Sequence, residues 1–436
     1  MSHLAKPATA GPPSSSSTEV TDEPQVIPVV SRKTPVLFSI LTLALAAAVL
    51  LGGESGDTTF RLASRDDFFE LPEITVPSQG TAWVVVVLLA LGSAEAWRRY
   101  LARRSTPLWI AAAFAFVAMV GFLSWAAAGG SIPVVGLLAG SLALAVPLVF
   151  GALGGVLGER AGVVNIAIDG QLLAGAFAAA FVGSLADSVW AGLLGAMAAG
   201  VLVALVLGIF AISYYVDQVI VGVVLNVLVI GLTSFMFSQV LAPKAAELNS
   251  PPRFEAWVIP VLGDIPLIGP IFFRQTPLVY LLYIAVGVVT WSLYRTKWGL
   301  RVRAVGEHPK AADTVGINVN RTRYRTILIA GAIAGAGGAF YTMVSVSGFN
   351  REMTGGAGYI ALAAVIFGKW DPIKATLAAL LFGFASNLQG VLSVIGSPVP
   401  SQFMLMLPYV VTIVAVAGLV GRSRAPAAVG LPYRKA

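Results

Sequence analysis

The chain contains no cysteine, and its only histidines, His3 and His308, are far apart in the sequence. Without thiols it can build neither a disulfide framework nor a thiolate metal site, and two separated imidazoles make no histidine cluster. Charge is scarce too. Asp, Glu, Lys and Arg make up 11% of the residues, against about 25% in a soluble domain. No G-x-x-x-x-G-K-[ST] stretch is present to cradle phosphates, so ATP chemistry would have to come from another chain. What replaces these features is apolar surface: 57% of the 436 residues are hydrophobic, with a mean hydropathy of +0.84. That composition predicts an all-α, polytopic transmembrane helical bundle. The net charge of +7 then reads as the basic excess of cytoplasmic loops rather than a nucleic-acid footprint.

A bilayer core of about 30 Å needs about 20 apolar residues per helix. On that rule about twelve spans are expected, near residues 35–52, 80–96, 106–126, 131–157, 163–186, 188–211, 217–240, 277–294, 327–345, 357–369, 373–395 and 401–420. The fifth and tenth are interrupted or shortened by glycine and polar residues. Residues 1–34, rich in Pro, Ser and Thr, predict a disordered cytoplasmic tail. Residues 35–104 hold two further spans, 105–420 a core with a basic loop over 295–326, and 421–436 a second cytoplasmic tail. Lys and Arg concentrate in "WRRYLARR", in the 295–326 loop and in the closing tail, placing both termini on the cytoplasmic side. Setting the first two spans aside leaves five and five of opposite starting side, the pattern of inverted repeats, which commonly carry a transport path at their interface.

Two stretches stand out. In "GERAGVVNIAIDGQ", Glu159 and Arg160 fit the cytoplasmic end of the fourth span, whereas Asn165 and Asp169 are one helical turn apart between Gly162 and Gly170. Irregular backbone at membrane depth survives only when buried in protein or lining a cavity. Asn165, Asp169 and Gln171 therefore either line a substrate path or stabilise a helix break. Asn226, Asn387 and Gln389, amides in apolar spans, are further path candidates that could equally be interhelical glue. In "GLRVRAVGEHPKAADTVGINV", Pro309 and Gly316 bracket a helix of about two turns. Ala311, Ala312 and Gly316 leave one side of it thin enough to enter a groove in another protein, and Arg301, Arg303 and Glu307 flank it with charge. A solvated, positively charged connector is the alternative.

These stretches, with "GYIALAAVIFGKWDP" and the closing "RAPAAVGLPY", resemble the permease subunits of bacterial ABC importers in the branched-chain amino acid, ribose and nucleoside group, most of all the nucleoside (simple-sugar-like) permeases. The resemblance covers roughly residues 106–436. It departs at Asp169, where the family usually has Glu, and at His308, where it often has Asn. It implies a type II importer-like core of about ten helices, with the helix after Pro309 coupling to a cytoplasmic ATPase subunit. It also implies a second related permease, an extracytoplasmic substrate-binding lipoprotein, no cofactor, and nucleoside uptake without covalent chemistry. Membrane lipids are the remaining expected contact, and no nucleic acid is expected. The competing class is an ion-coupled secondary transporter of a small polar solute, for which Glu159, Asp169 and Asp217 are the internal carboxylates.

The charge distribution generates a topological test that a cysteine-free chain makes clean. With His308→Cys as the single thiol, an impermeant maleimide is expected to label the protein only after the membrane is permeabilised. Labelling on intact cells would reverse the orientation.

Overall fold

The computed structural model describes residues 31–52, 56–63, 71–396 and 424–435, with 402, 403, 406 and 409. The expected N-terminal tail up to residue 30, and all but four residues of the twelfth span, lie outside the described residues. The helices are α1 (Lys33–Gly52), α2 (Ser78–Leu101), α3 (Leu108–Ala126), α4 (Val134–Arg160), α5 (Ile168–Ala186), α6 (Val189–Gly208), α7 (Gln218–Met236), α8 (Ala245–Leu248), α9 (Pro277–Arg295), α10 (Lys297–Glu307), α11 (Pro309–Thr314), α12 (Val319–Phe340), α13 (Ala357–Phe367) and α14 (Pro372–Ile395). Among the described residues ten helices are long and apolar enough to cross a membrane. The protein is an all-α, multi-pass helical bundle.

α13, the tenth expected span, has 11 residues and reaches about 16 Å, half a hydrocarbon core. Its first turn therefore begins inside the bundle, fed by the irregular residues 346–356. The fifth expected span also starts late. α5 begins at Ile168, so Asn165 precedes the helix and does not share a helical face with Asp169. One cause is local and one tertiary: Gly162 turns the chain at φ +87°, and the amide of Val164 is taken by the side chain of Gln218 at 2.7 Å.

The centre is built from α4, α5, α6, α12 and α14, whose surfaces are Gly- and Ala-rich. Lipid offers no hydrophobic drive between helices, so close backbone packing has to hold them. A Cβ on Gly200 of α6 would lie 2.1 Å from the Gly331 carbonyl oxygen of α12, and one on Gly335 would lie 2.3 Å from the Ala196 carbonyl oxygen.

Helices α1 to α3 form a satellite bundle in which the Phe38 and Phe114 rings stack 3.8 Å apart and Thr42 meets Ser93 at 3.0 Å. Strand β1 (Asp57–Arg61) pairs antiparallel with β2 (Ile74–Pro77) and parallel with β3 (Ser131–Pro133). This small sheet, with Leu123, Ile132, Leu137 and Leu388 packed beneath, joins the satellite to the core. A second hairpin pairs β4 (Trp257–Val258) with β5 (Arg274–Gln275).

The glycine contacts generate a stability prediction. Gly200→Val is expected to destabilise the core by at least about 1–3 kcal/mol, because backbone on the facing helix cannot retreat. Gly231→Ala, where a Cβ would meet nothing within 4 Å, is expected to leave unfolding unchanged. Intrinsic tryptophan fluorescence on heating in detergent reads both.

Candidate functional site

The irregular residues 161–167 and 346–356 meet at the first turns of α5 and α13, near the level of Gly151, where Ile168 and Ala361 both reach α4. Gly151 lies about 13 Å along α4 from its end at Arg160, inside the bundle. Neither broken helix caps itself: Ala167 and Gly356, at their N-cap positions, give no side-chain hydrogen bond. Each is capped from elsewhere. Asp169 of α5 accepts from the Gly358 amide in the first turn of α13 at 2.9 Å, and from the Thr354 hydroxyl at 3.4 Å. Asn226 of α7 accepts from the Gly170 amide in the first turn of α5 at 2.8 Å. Its Nδ2 donates to the Ile166 carbonyl at 2.9 Å and to the Tyr359 hydroxyl of α13 at 3.0 Å.

Asn165 and Gln171 face one another, both fully buried. Asn165 Nδ2 donates to Gln171 Oε1 at 3.0 Å, and Gln171 Nε2 donates to Asn165 Oδ1 at 3.2 Å. Four of the six path candidates thus gather around the break, Asp169 and Asn226 bonding across it and Asn165 and Gln171 forming a pair beside it. The other two do not join them. Asn387 donates to the Leu137 carbonyl at 2.7 Å, about 21 Å along α4 from Gly151, and Gln389 follows it, half-buried. Thr354 and Tyr359 bond Asp169 and Asn226, Gln218 bonds the Val164 amide, and none of the three was singled out from the sequence. Nothing in periodicity identifies partners so distant along the chain.

Glu159 and Arg160 close the end of α4. Glu159 is buried and accepts from the Trp370 indole, and Arg160 Nε donates to the Trp370 carbonyl at 2.8 Å. Trp370 and Lys369 turn the chain between α13 and α14 at φ +55° and +54°. α13 is therefore fastened at both ends, by Asp169 in the interior and by this clamp at the end of α4.

The basic loop lies at that same end. It contains one more helix than expected, α10, whose Gly299, Val302, Val305 and Gly306 face inward. Gly306 packs so closely that a Cβ would lie 2.1 Å from the Arg160 carbonyl oxygen. Within the loop, Arg301 is exposed, Arg303 lies over the Tyr294 ring at 5.4 Å, and Glu307 is exposed and accepts from the Ala427 amide at 3.2 Å. α11 runs from Pro309 to Thr314, and Gly316, at φ +84°, ends it. The two alanines part company. Ala311 is exposed, whereas Ala312 is buried with Val305, Val319 and Tyr433.

That tyrosine comes from residues 424–435, which clasp the loop from below. The Ala428 amide donates to Gly306 at 2.9 Å, buried Arg323 donates to the Leu431 carbonyl at 3.0 Å, and Arg434 sits over the Tyr215 ring at 5.0 Å. Burial, with a hydrogen bond to Asp313, raises the Tyr433 hydroxyl above its ordinary pKa.

The model of the branched-chain amino acid transport system permease component matches residues 137–416. The chain belongs to this permease family. It is a transport component rather than an enzyme, and α1 to α3 lie outside the matched region. Among its relatives, the guanosine ABC transporter permease protein NupQ of Bacillus subtilis is 44% identical over 68% of this chain and 95% of its own length. The nucleoside ABC transporter permease protein NupC of Lactococcus lactis is 38% identical over 69% and 96%. The putative glucose ABC transporter permease protein TsgC13 of Haloferax volcanii is 37% identical over 58% and 77%. The same two bacteria also hold more distant matches, NupP at 27% and NupB at 25% identity. No solved structure gives a significant match.

The cross-capped break sets a mutational expectation. Asp169→Ala removes a helix cap and is expected to cost about 0.5–2 kcal/mol, read as a lower unfolding temperature. Asp169→Asn, which keeps the acceptor oxygen, is expected to retain most of that stability. Equal loss in both variants would assign the effect to the charge and not to the cap.

Proposed function

We infer that the protein is the translocation subunit of an ATP-driven ABC importer that takes up nucleosides. The observation that carries this is the exposed α11 clasped by residues 424–435 against α10 and α12, on a chain whose NupQ and NupC relatives are named for guanosine and nucleosides. A helix of 6 residues has no stability of its own. Clasped on one side by Tyr433 and exposed on the other at Ala311, it can be pushed without unfolding. A cytoplasmic ATPase chain would grip that exposed side, with Arg301, Arg303 and Glu307 around it. α10 would pass the load to Arg160, and the Glu159–Arg160 clamp on Trp370 would pass it along α13 to the break. In this reading Asn165, Asp169, Gln171 and Asn226 set the position of the path by holding the two broken helices. Asn387 and Gln389 belong to its far end. A second related permease, in the manner of NupP beside NupQ, would complete the path, an extracytoplasmic lipoprotein would deliver the solute, and both termini would be cytoplasmic.

An ion-coupled transporter needs a carboxylate free to take up and release its ion. All three internal candidates are committed: Glu159 to Trp370, Asp169 to Gly358, and Asp217 to the amides of Val219 and Ile220 at the start of α7. No observation favours that reading.

The experiment is uptake of labelled guanosine, uridine and glucose by cells carrying the complete transporter. Nucleoside uptake that stops on ATP depletion is expected, and glucose uptake alone would transfer the assignment to sugars. Ala311→Trp is expected to abolish uptake and weaken ATPase attachment at normal permease abundance, since overpacking a tight interface costs about 1–3 kcal/mol. Ala312→Trp is expected instead to lower the stability of the permease itself, because it displaces Tyr433 and Val305.

A further inference from the structure

The membrane face opposite α10 and α11 carries a feature that neither the break nor the coupling loop uses. Between α8 and α9 the β4–β5 hairpin projects a tip whose Trp257, Val258, Val261, Leu262, Ile265 and Ile268 are all exposed. Exposed contiguous apolar surface of this kind marks an interaction site. The tip is held rather than loose. Its base is paired through Trp257 and Gln275, the Ile259 amide donates to Phe273 at 3.0 Å, and Gly269 closes on Gly263 so tightly that a Cβ would sit 2.2 Å from its carbonyl oxygen. Its one acid, Asp264, meets Arg274 at 3.3 Å, which neutralises it.

Val261 carries the argument furthest. It is 79% exposed and has φ +68°, a region that β-branched residues rarely occupy. Such strain persists only where something fixes it, and it clusters at functional positions. The turn that fixes it is closed by the Leu262 and Gly263 amides, which donate to the Pro260 and Ile259 carbonyls at 2.8 Å, and it holds the valine side chain outward.

The geometry points to lipid: we propose that residues 257–268 insert into the outer leaflet as an interfacial anchor beside α9. Tyr280, in the first turn of α9, ties the hairpin to the helix by donating to the Trp257 carbonyl at 2.9 Å. From Tyr280 the same helical face continues through exposed Ile284, Val288 and Trp291, about 16 Å along the axis. An aliphatic stripe with aromatic residues at both ends is the pattern of a lipid-facing helix. The protein-facing contacts in this bundle are instead made by Gly and Ala, as at Gly200 and Gly335. The apolar tip extends that stripe into the headgroup region, where the Trp257 ring and a neutralised charge pair are at home.

The test uses the full-length chain, which has no other thiol to interfere. Val261→Cys and Ile265→Cys, each labelled with an environment-sensitive NBD dye, are reconstituted in phosphatidylcholine vesicles containing nitroxide-labelled lipid. The expected result is emission shifted to the blue of the same dye at Glu255→Cys. Quenching should be stronger by a nitroxide near the headgroup than by one deep in the acyl chain, and aqueous iodide should quench little. Val261→Asp combined with Ile265→Cys is expected to lose the blue shift and the nitroxide quenching while its thermal unfolding stays unchanged. Water-like emission quenched by iodide would overturn the proposal. So would shielding that appears only when a second permease or a binding protein is added, which would assign the tip to a protein partner.

Discussion

Every peptide N–H and C=O inside hydrocarbon must find a partner within the protein, because an unpaired one costs several kcal/mol. This structure starts α5 and α13 inside the bundle, so their first amides need partners from the surrounding protein. Asp169 and Asn226 supply the missing acceptors from neighbouring helices. The exchange is mutual: α5 caps α13, α7 caps α5, and Tyr359 of α13 returns a contact to α7. Three helices far apart in sequence are fixed to one another by groups that would otherwise be liabilities.

The rest of the bundle is arranged around that junction. Glycine and alanine let α5, α6 and α12 approach at backbone distance, which surrounds the break with protein. α13 becomes a strut between the junction and the Trp370 clamp. The clamp adjoins Gly306 of α10, and α10 and α11 are clasped by residues 424–435. A continuous line of packed elements therefore runs from the exposed face of α11 to the interior break, and the proposed coupling would follow it.

Much of the fold was legible in the sequence because the bilayer imposes a length and a polarity that composition alone must meet. Eleven of the twelve expected spans appear as helices within the described residues, with the shortened one at α13. That the fifth span is interrupted was legible from its glycines and polar residues, but the point at which α5 starts was not. Asn165 and Asp169 have helical spacing, and the turn at Gly162 together with the tertiary contact of Gln218 with Val164 keeps Asn165 out of the helix. α10 was missed because its inward residues fill just one face of a short basic segment, and such a helix exists by docking on α4 rather than by propensity.

By itself the sequence determined that the chain crosses a membrane many times, that it lacks the thiols, imidazole cluster and phosphate loop of a catalyst, and where its two informative stretches lie. These follow from residue chemistry and spacing, which need no partner to be read. Only the tertiary structure decided which of those residues meet. It separated Asn387 from Asn226, turned Ala312 inward and Ala311 outward, and matched Asp169 to an amide 189 positions away. A hydrogen bond is set by a distance in space, and the folded chain alone creates that distance.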